Sequence, residues 1–299
     1  MTSSAPHLAT LISAPNAGAI TQDAIAAAAA VLPNPAAAVL LSPTEAVDIP
    51  FTGARSDDLE DRLRTALKGA PIDIILQSTQ NRAKKLFLAD MDSTMIRQEC
   101  IDELGAAVGL GEAIAAITER AMRGELDFEA ALTERVALLK GLPEAALQEV
   151  YEGRITLTSG AENLISTLNA KGVKTVLVSG GFTFFTSRIA ARLGFAEHHA
   201  NVLEVENGRL TGKVIPPILG KEAKLAQLKR LSKELGLAPF ETITVGDGAN
   251  DAAMTEAAGF GVAFHAKQAL ADIADARVNY GDLTALLYIL GIPKTEFAL

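Results

Sequence analysis

Apolar positions recur along the chain in two textures. Over roughly the first 80 residues, the short apolar runs 7–13, 36–41, 46–51 and 71–76 read as strands. Between them lie two stretches of helical spacing. Thr21 is placed to cap a helix through the Ala-rich run 24–32, which Pro33 ends. Ser56 is placed to cap a second helix with Asp57 and Asp58 in its first turn, and Leu59, Leu63 and Leu67 form its apolar stripe. The order β-α-β-β-α-β predicts a small ferredoxin-like α/β unit. The polar run 78–85 then marks a boundary near residue 82, dividing the chain into 1–82 and 83–299.

Beyond that boundary, short buried strands alternate with helices, which predicts a parallel sheet. The strands fall at 86–89, 173–178, 242–245, 260–264 and 277–280. Helical segments at 98–109, 111–122, 127–140 and 143–153 separate the first two, with Pro143 opening the last of them. The block 98–158 is too long for a plain crossover and reads as an inserted helical cap. Residues 202–205 and 209–214 flank Asn207-Gly208, a tight-turn pair, and predict a hairpin.

Composition narrows the function classes. The chain has 299 residues and a formal net charge of −9, so it lacks the basic footprint that nucleic acid or an anionic membrane demands. A single cysteine, Cys100, excludes an internal disulfide framework and a Cys-rich zinc module. No uninterrupted apolar stretch has the length of a membrane span, and the first residues carry no basic leader pattern. A cytoplasmic protein is expected, and a homodimer is left open.

Candidate chemistry gathers where the predicted parallel strands end. Asp90-Met91-Asp92-Ser93-Thr94 follows the first strand, and ligands of open α/β sheets sit at the carboxyl ends of strands. Two neighbouring carboxylates repel unless a cation neutralises them, and oxygen-only ligands suit Mg²⁺. Asp90 is suited to nucleophilic attack and Asp92 to general acid–base work. Ser179-Gly180-Gly181 follows the second strand and offers a hydroxyl and glycine amides to a phosphate oxygen. Gly246-Asp247-Gly248-Ala249-Asn250-Asp251 follows the third and supplies further oxygens for a metal shell. A phosphoryl group also needs a side-chain cation, for which Lys221 and Lys224 are both candidates.

These motifs, in this order, resemble the haloacid dehalogenase (HAD) superfamily of aspartate-based phosphotransferases over about residues 84–290. The resemblance implies an α/β fold with a Rossmann-like parallel sheet and a type 1 helical cap. The preceding unit is similar in element order to ACT domains, which sense amino acids. Stretches 98–104 and 126–142 are similar to the phosphoserine phosphatase family. That likeness implies Mg²⁺-dependent hydrolysis of O-phospho-L-serine, the last step of serine biosynthesis, through an aspartyl-phosphate. Asp90 would be the nucleophile and Asp92 the acid and base. Mg²⁺ would be held by Asp90, the Asp92 carbonyl and Asp247. Glu99 would face the substrate ammonium, Arg135 its carboxylate, and Phe128 would shield the closed site. The phosphate would meet Ser179, Gly180, Asn250 and Lys221, the lysine on which the family pattern aligns. Thr94 and Asp251 would support the site.

The remaining alternatives are a phosphatase for another small ester, such as phosphohomoserine or phosphothreonine, and an amino-acid sensor working through the N-terminal unit. Cys100 reads as a small buried residue, and His198 and His199 as surface. His265 stands at the correct sheet edge for an indirect role. No dinucleotide fingerprint or Walker pattern is present.

Overall fold

A computed structural model of the chain describes residues 7–298 apart from Gly124. The first six residues, read as lacking a leader, lie outside the described ones. The N-terminal unit runs β1 (His7–Ser13), α1 (Gln22–Val31), β2 (Val39–Ser42), β3 (Ala46–Phe51), α2 (Leu59–Ala66) and β4 (Ile72–Ser78). Its strands form a four-stranded antiparallel sheet in the order β2-β3-β1-β4. Thr21 caps α1 as its side chain predicts, accepting the amide of Ala24. The second cap differs. Leu59 opens α2 after a turn closed by the Ser56 carbonyl, so Glu60 and Asp61 occupy the first turn instead of Asp57 and Asp58.

Both faces of β1 and β4 are covered, which explains why consecutive residues on them are buried. Leu11 and Ile74 pack under the unit's own helices, whereas Ile12 and Ile75 join the larger core that follows. Polar contacts join the same regions. Asp73 of β4 is buried and accepts backbone amides from Asn279 at 2.7 Å and Gly281 at 2.8 Å. Arg82, inside the run expected to be a plain boundary, pairs with Asp48 at 2.6 Å and donates to the Tyr288 carbonyl at 2.7 Å. The boundary segment is therefore fastened on both sides.

The larger sheet has seven strands in the order β11-β10-β9-β5-β6-β7-β8. In chain order these are β5 (Leu86–Ala89), β6 (Lys174–Phe182), β7 (Glu197–Glu206), β8 (Arg209–Ile215), β9 (Thr242–Gly246), β10 (Gly261–Phe264) and β11 (Ala276–Val278). All pair in parallel except β7 with β8, which form the hairpin expected around Asn207-Gly208. Central β5 is flanked by β6 and β9, and Ala89 is in register with Leu177 on one side and Val245 on the other. The three motif-bearing strand ends therefore lie side by side at one level. The chain passes from β5 to β6 on one side and returns through β9 on the other, so the strand order switches at β5 and a crevice opens there.

Between β5 and β6 come α3 (Cys100–Ala107), α4 (Gly111–Met122), α5 (Phe128–Leu138), α6 (Ala145–Arg154) and α7 (Ala161–Ala170). Later elements are α8 (Thr183–Leu193), α9 (Lys221–Glu234), α10 (Ala252–Ala257), α11 (Gln268–Ala271) and α12 (Ala285–Ile289). Pro143 does not open α6, because residues 141–144 instead pair with the β7–β8 hairpin. Glu144 N donates to the Gly208 carbonyl at 2.9 Å and Leu210 N to that of Leu142 at 2.9 Å. Among the described residues no helix is long and apolar enough to cross a membrane.

Candidate active site

Past β5 the backbone makes a wide turn over Met91–Met95, closed by Ile96 N on the Met91 carbonyl at 3.0 Å. Ser93 reaches φ 55° inside it, the left-handed geometry that a small polar side chain tolerates. Asp90 and Asp92 are both buried and both line a cavity of about 360 Å³ at the carboxyl ends of β5, β6 and β9. The Asp90 carboxylate is held at one oxygen and open at the other. Its Oδ1 accepts Met91 N at 2.8 Å and pairs with Lys224 Nζ at 2.8 Å, while among the described residues Oδ2 has only Asn250 Nδ2 at 3.5 Å.

Asp92 is directed elsewhere. Its Oδ1 accepts Cys100 N at 2.9 Å and its Oδ2 accepts Ser179 Oγ at 3.0 Å. The Ser-Gly-Gly turn after β6 is a bulge: β6 and β7 pair at Val178–His199 and next at Phe182–Asn201. Asn201 pins it, donating to the Gly180 carbonyl at 2.8 Å. A Cβ at Gly181 would lie 2.8 Å from Asp92 Oδ2, so this glycine lets the carboxylate sit against the turn.

The loop after β9 folds back on Asp251, whose Oδ2 accepts Asp247 N and Gly248 N, each at 3.2 Å. Carboxylate oxygens of Asp90, Asp247 and Asp251 lie within 4.8 Å of one another. Three hard oxygen donors at this spacing fit a small divalent cation. Without one, burial first and Asp251 second push the Asp90 carboxyl well above its ordinary range, with Lys224 opposing them. Burial likewise raises Asp247, again helped by Asp251. The close acidic group is the expected Asp90 and Asp247 with Asp251; the Asp92 side chain stands outside it.

The expected lysine is corrected. Lys221 opens α9 with its side chain 64 % exposed, and its one ion pair among the described residues is a 3.9 Å contact with Glu222. Lys224 takes the buried place between Asp90 and Asp251, reaching the latter at 2.6 Å. It lies on the inward stripe with Leu228 and Leu231, one turn deeper than Lys221. Burial alone would pull its ammonium down, but the two carboxylates outweigh burial and hold it protonated.

The far wall of the cavity comes from the helical block. Glu99, Phe128 and Arg135 line it, with Asp102, which the sequence reading missed although it lies one turn beyond Glu99 on α3. Glu99 accepts Ser93 Oγ at 2.8 Å, and burial and then Asp92 raise its carboxyl to about 7. An ammonium set against it restores the charged form. Burial lowers Arg135 while Asp102, Glu99 and Asp92 counter that effect. Phe128 lies against the turn after β6, its Cζ 3.0 Å from where a Cβ on Gly180 would be. Lys267, on the loop after β10, also lines the cavity and was not anticipated. His265, at the same strand end, is turned to the Gly281 carbonyl, 2.9 Å from its Nε2.

Thr94 is fully buried, and its hydroxyl has no hydrogen-bond partner among the described residues. Cys100 is buried as expected, and burial with Asp92 pushes its thiol well up, which makes it a poor nucleophile.

Comparison with known proteins points the same way. Residues 87–256 match the haloacid dehalogenase-like hydrolase family. A phosphoserine phosphatase of Archaeoglobus fulgidus is 44 % identical over 238 residues, covering 79 % of this chain and 69 % of that one. Among solved structures, a probable phosphoserine phosphatase from Vibrio cholerae superposes with a TM-score of 0.78 at 30 % identity, covering 98 % of this chain and 88 % of that one. A substrate-bound phosphoserine phosphatase complex gives 0.64 at 40 % identity over 69 % of this chain and 97 % of its own.

Proposed function

The chain belongs to the haloacid dehalogenase-like hydrolase family, and we propose that it hydrolyses O-phospho-L-serine to L-serine and phosphate with Mg²⁺. One observation carries the substrate: a single cavity joins the Asp90–Asp92 pair to Glu99 and Arg135. The first pair suits a phosphoryl group, and the second suits an α-amino and α-carboxylate group on the same small molecule.

Asp90 Oδ2, the oxygen with open lone pairs, attacks phosphorus as the bond from phosphorus to the serine oxygen breaks. Lys224 and Met91 N fix the other oxygen, so the attacking one is oriented. Asp92 gives its proton to the departing serine oxygen. It then takes one from the water that cleaves the aspartyl-phosphate, which frees phosphate and returns Asp90. Ser179, Gly180 and Asn250, which line the cavity, would meet the phosphoryl oxygens. Asp90, Asp247 and the Asp92 carbonyl would hold Mg²⁺, with Asp251 and Thr94 in support. When bound, the ion polarises the phosphoryl group and offsets the acidic cluster.

We read residues 98–158 as a type 1 cap, supported by its supply of Glu99, Asp102, Phe128 and Arg135 to the cavity wall. We read residues 1–82 as an ACT-like domain, supported by its element order and antiparallel sheet.

Arg135→Ala tests the substrate. Loss of a fork onto a desolvated carboxylate predicts a fall of about 100-fold in kcat/KM for phosphoserine. A neutral aryl phosphate should change less than about threefold, since it never used that contact. Equal losses on both substrates would remove the serine assignment.

A further inference from the structure

The charges around the cavity do not balance by the groups already assigned. Asp90, Asp92, Glu99, Asp102 and Asp247 line it, against two cations among the described lining residues, Arg135 and Lys267. Lys224 lies outside the lining and is already shared between Asp90 and Asp251. The two lining cations serve different ends. Arg135 acts on Asp102, Glu99 and Asp92, whereas Lys267 acts on Asp247, whose carboxyl its charge pulls down against burial.

The backbone holds Lys267 at this end. β10 neighbours β9, and Lys267 N donates to the Asp247 carbonyl at 2.8 Å, which fastens the loop after β10 to the motif after β9. The residue is exposed and lines the cavity, and among the described residues its side chain forms no ion pair. A phosphomonoester dianion entering here meets a wall of carboxylates, which one divalent ion only partly offsets. An unpaired ammonium at the phosphoryl end supplies the missing charge.

We infer that Lys267 is a binding residue for the phosphoryl group, attracting the incoming ester and retaining inorganic phosphate until release. The inference rests on the phosphatase reading of this site, but its test does not depend on the serine part of the substrate. The full chain with Mg²⁺ is compared as wild type, Lys267→Gln and Lys267→Arg. Inorganic phosphate affinity is read by calorimetry, and KM, kcat and salt dependence are read with phosphoserine and an aryl phosphate.

In Lys267→Gln, phosphate Kd and KM for both esters should rise together by roughly 5- to 20-fold, as for one partly solvated charge pair. The salt dependence of kcat/KM should flatten, kcat should move far less than KM, and Lys267→Arg should restore most of the affinity. Unchanged phosphate affinity in Lys267→Gln would overturn the inference. A fall in kcat with KM unmoved and no rescue by arginine would also overturn it, since that marks a role through Asp247. If wild type turns over the aryl ester but not phosphoserine, the serine assignment fails while the phosphate titration still decides Lys267.

Discussion

Asp90→Asn should leave a folded protein that forms no phospho-enzyme and turns over at least about 10⁴-fold more slowly. An amide has no anionic oxygen to attack phosphorus, and no other described residue lining the cavity is placed to replace it. Asp92 is tied to Cys100 N and Ser179, and Asp247 stands at the cation cluster. Unfolding would not explain the loss. Burial and Asp251 push the Asp90 carboxyl well above its ordinary range, so its ionised form is disfavoured in the metal-free fold. Asparagine keeps the shape of the side chain and Lys224 keeps Asp251, so the Tm of the metal-free protein should stay close to that of wild type. Quenching the reaction with labelled substrate, then counting acid-precipitable label in wild type and variant, checks the prediction alongside Tm.

The second large effect separates two neighbouring lysines. Lys224→Met removes a buried cation from between two buried carboxylates and should destabilise the metal-free protein by about 3 kcal/mol or more. Its kcat/KM should fall by roughly 10²- to 10⁴-fold, because Asp90 loses the group that fixes one of its oxygens. Lys221→Met, at an exposed helix start, should stay within about 0.5 kcal/mol of wild type and keep its activity. Thermal melts and steady-state rates on both variants decide it. Part of the Lys224→Met stability should return with Mg²⁺, since a divalent ion can replace the missing charge.

The lysine pair shows where reading the chain alone reached its limit. The apolar spacing of Leu228 and Leu231 counts back to Lys224, so the inward position was present in the pattern. Aligning on a motif instead put the charge at Lys221, which the helix start leaves in solvent. Strand ends were more legible. β5, β6 and β9 are short and largely buried, with Val, Leu and Ile at their centres, and each stops at a polar motif; parallel pairing then brings those stops to one level. What the runs did not carry was proximity made by loops. Lys267 reaches the cavity because its amide bonds the Asp247 carbonyl, a contact between separate loops with no local sequence mark. Asp102 is closer to hand, in the first turn of the helix that Glu99 precedes. Pro143 illustrates the opposite case. Its local signal for a helix start is real, but pairing of residues 141–144 with the hairpin overrides it.

The acidic balance of the chain also takes on a local meaning. A net charge of −9 argues against polyanionic partners, yet the proposed substrate is an anion. Arg135 and Lys267 at two ends of one cavity, with a divalent ion at the Asp90–Asp247 cluster, reconcile the two.

The most direct measurement is phosphate release from O-phospho-L-serine by the full chain, with Mg²⁺, after chelation, and after Mg²⁺ is restored, beside phosphothreonine and phosphohomoserine. The account predicts rapid turnover of phosphoserine that vanishes on chelation and returns with the ion, with kcat/KM highest for phosphoserine. Undiminished release after chelation, or a clear preference for another ester, would contradict it.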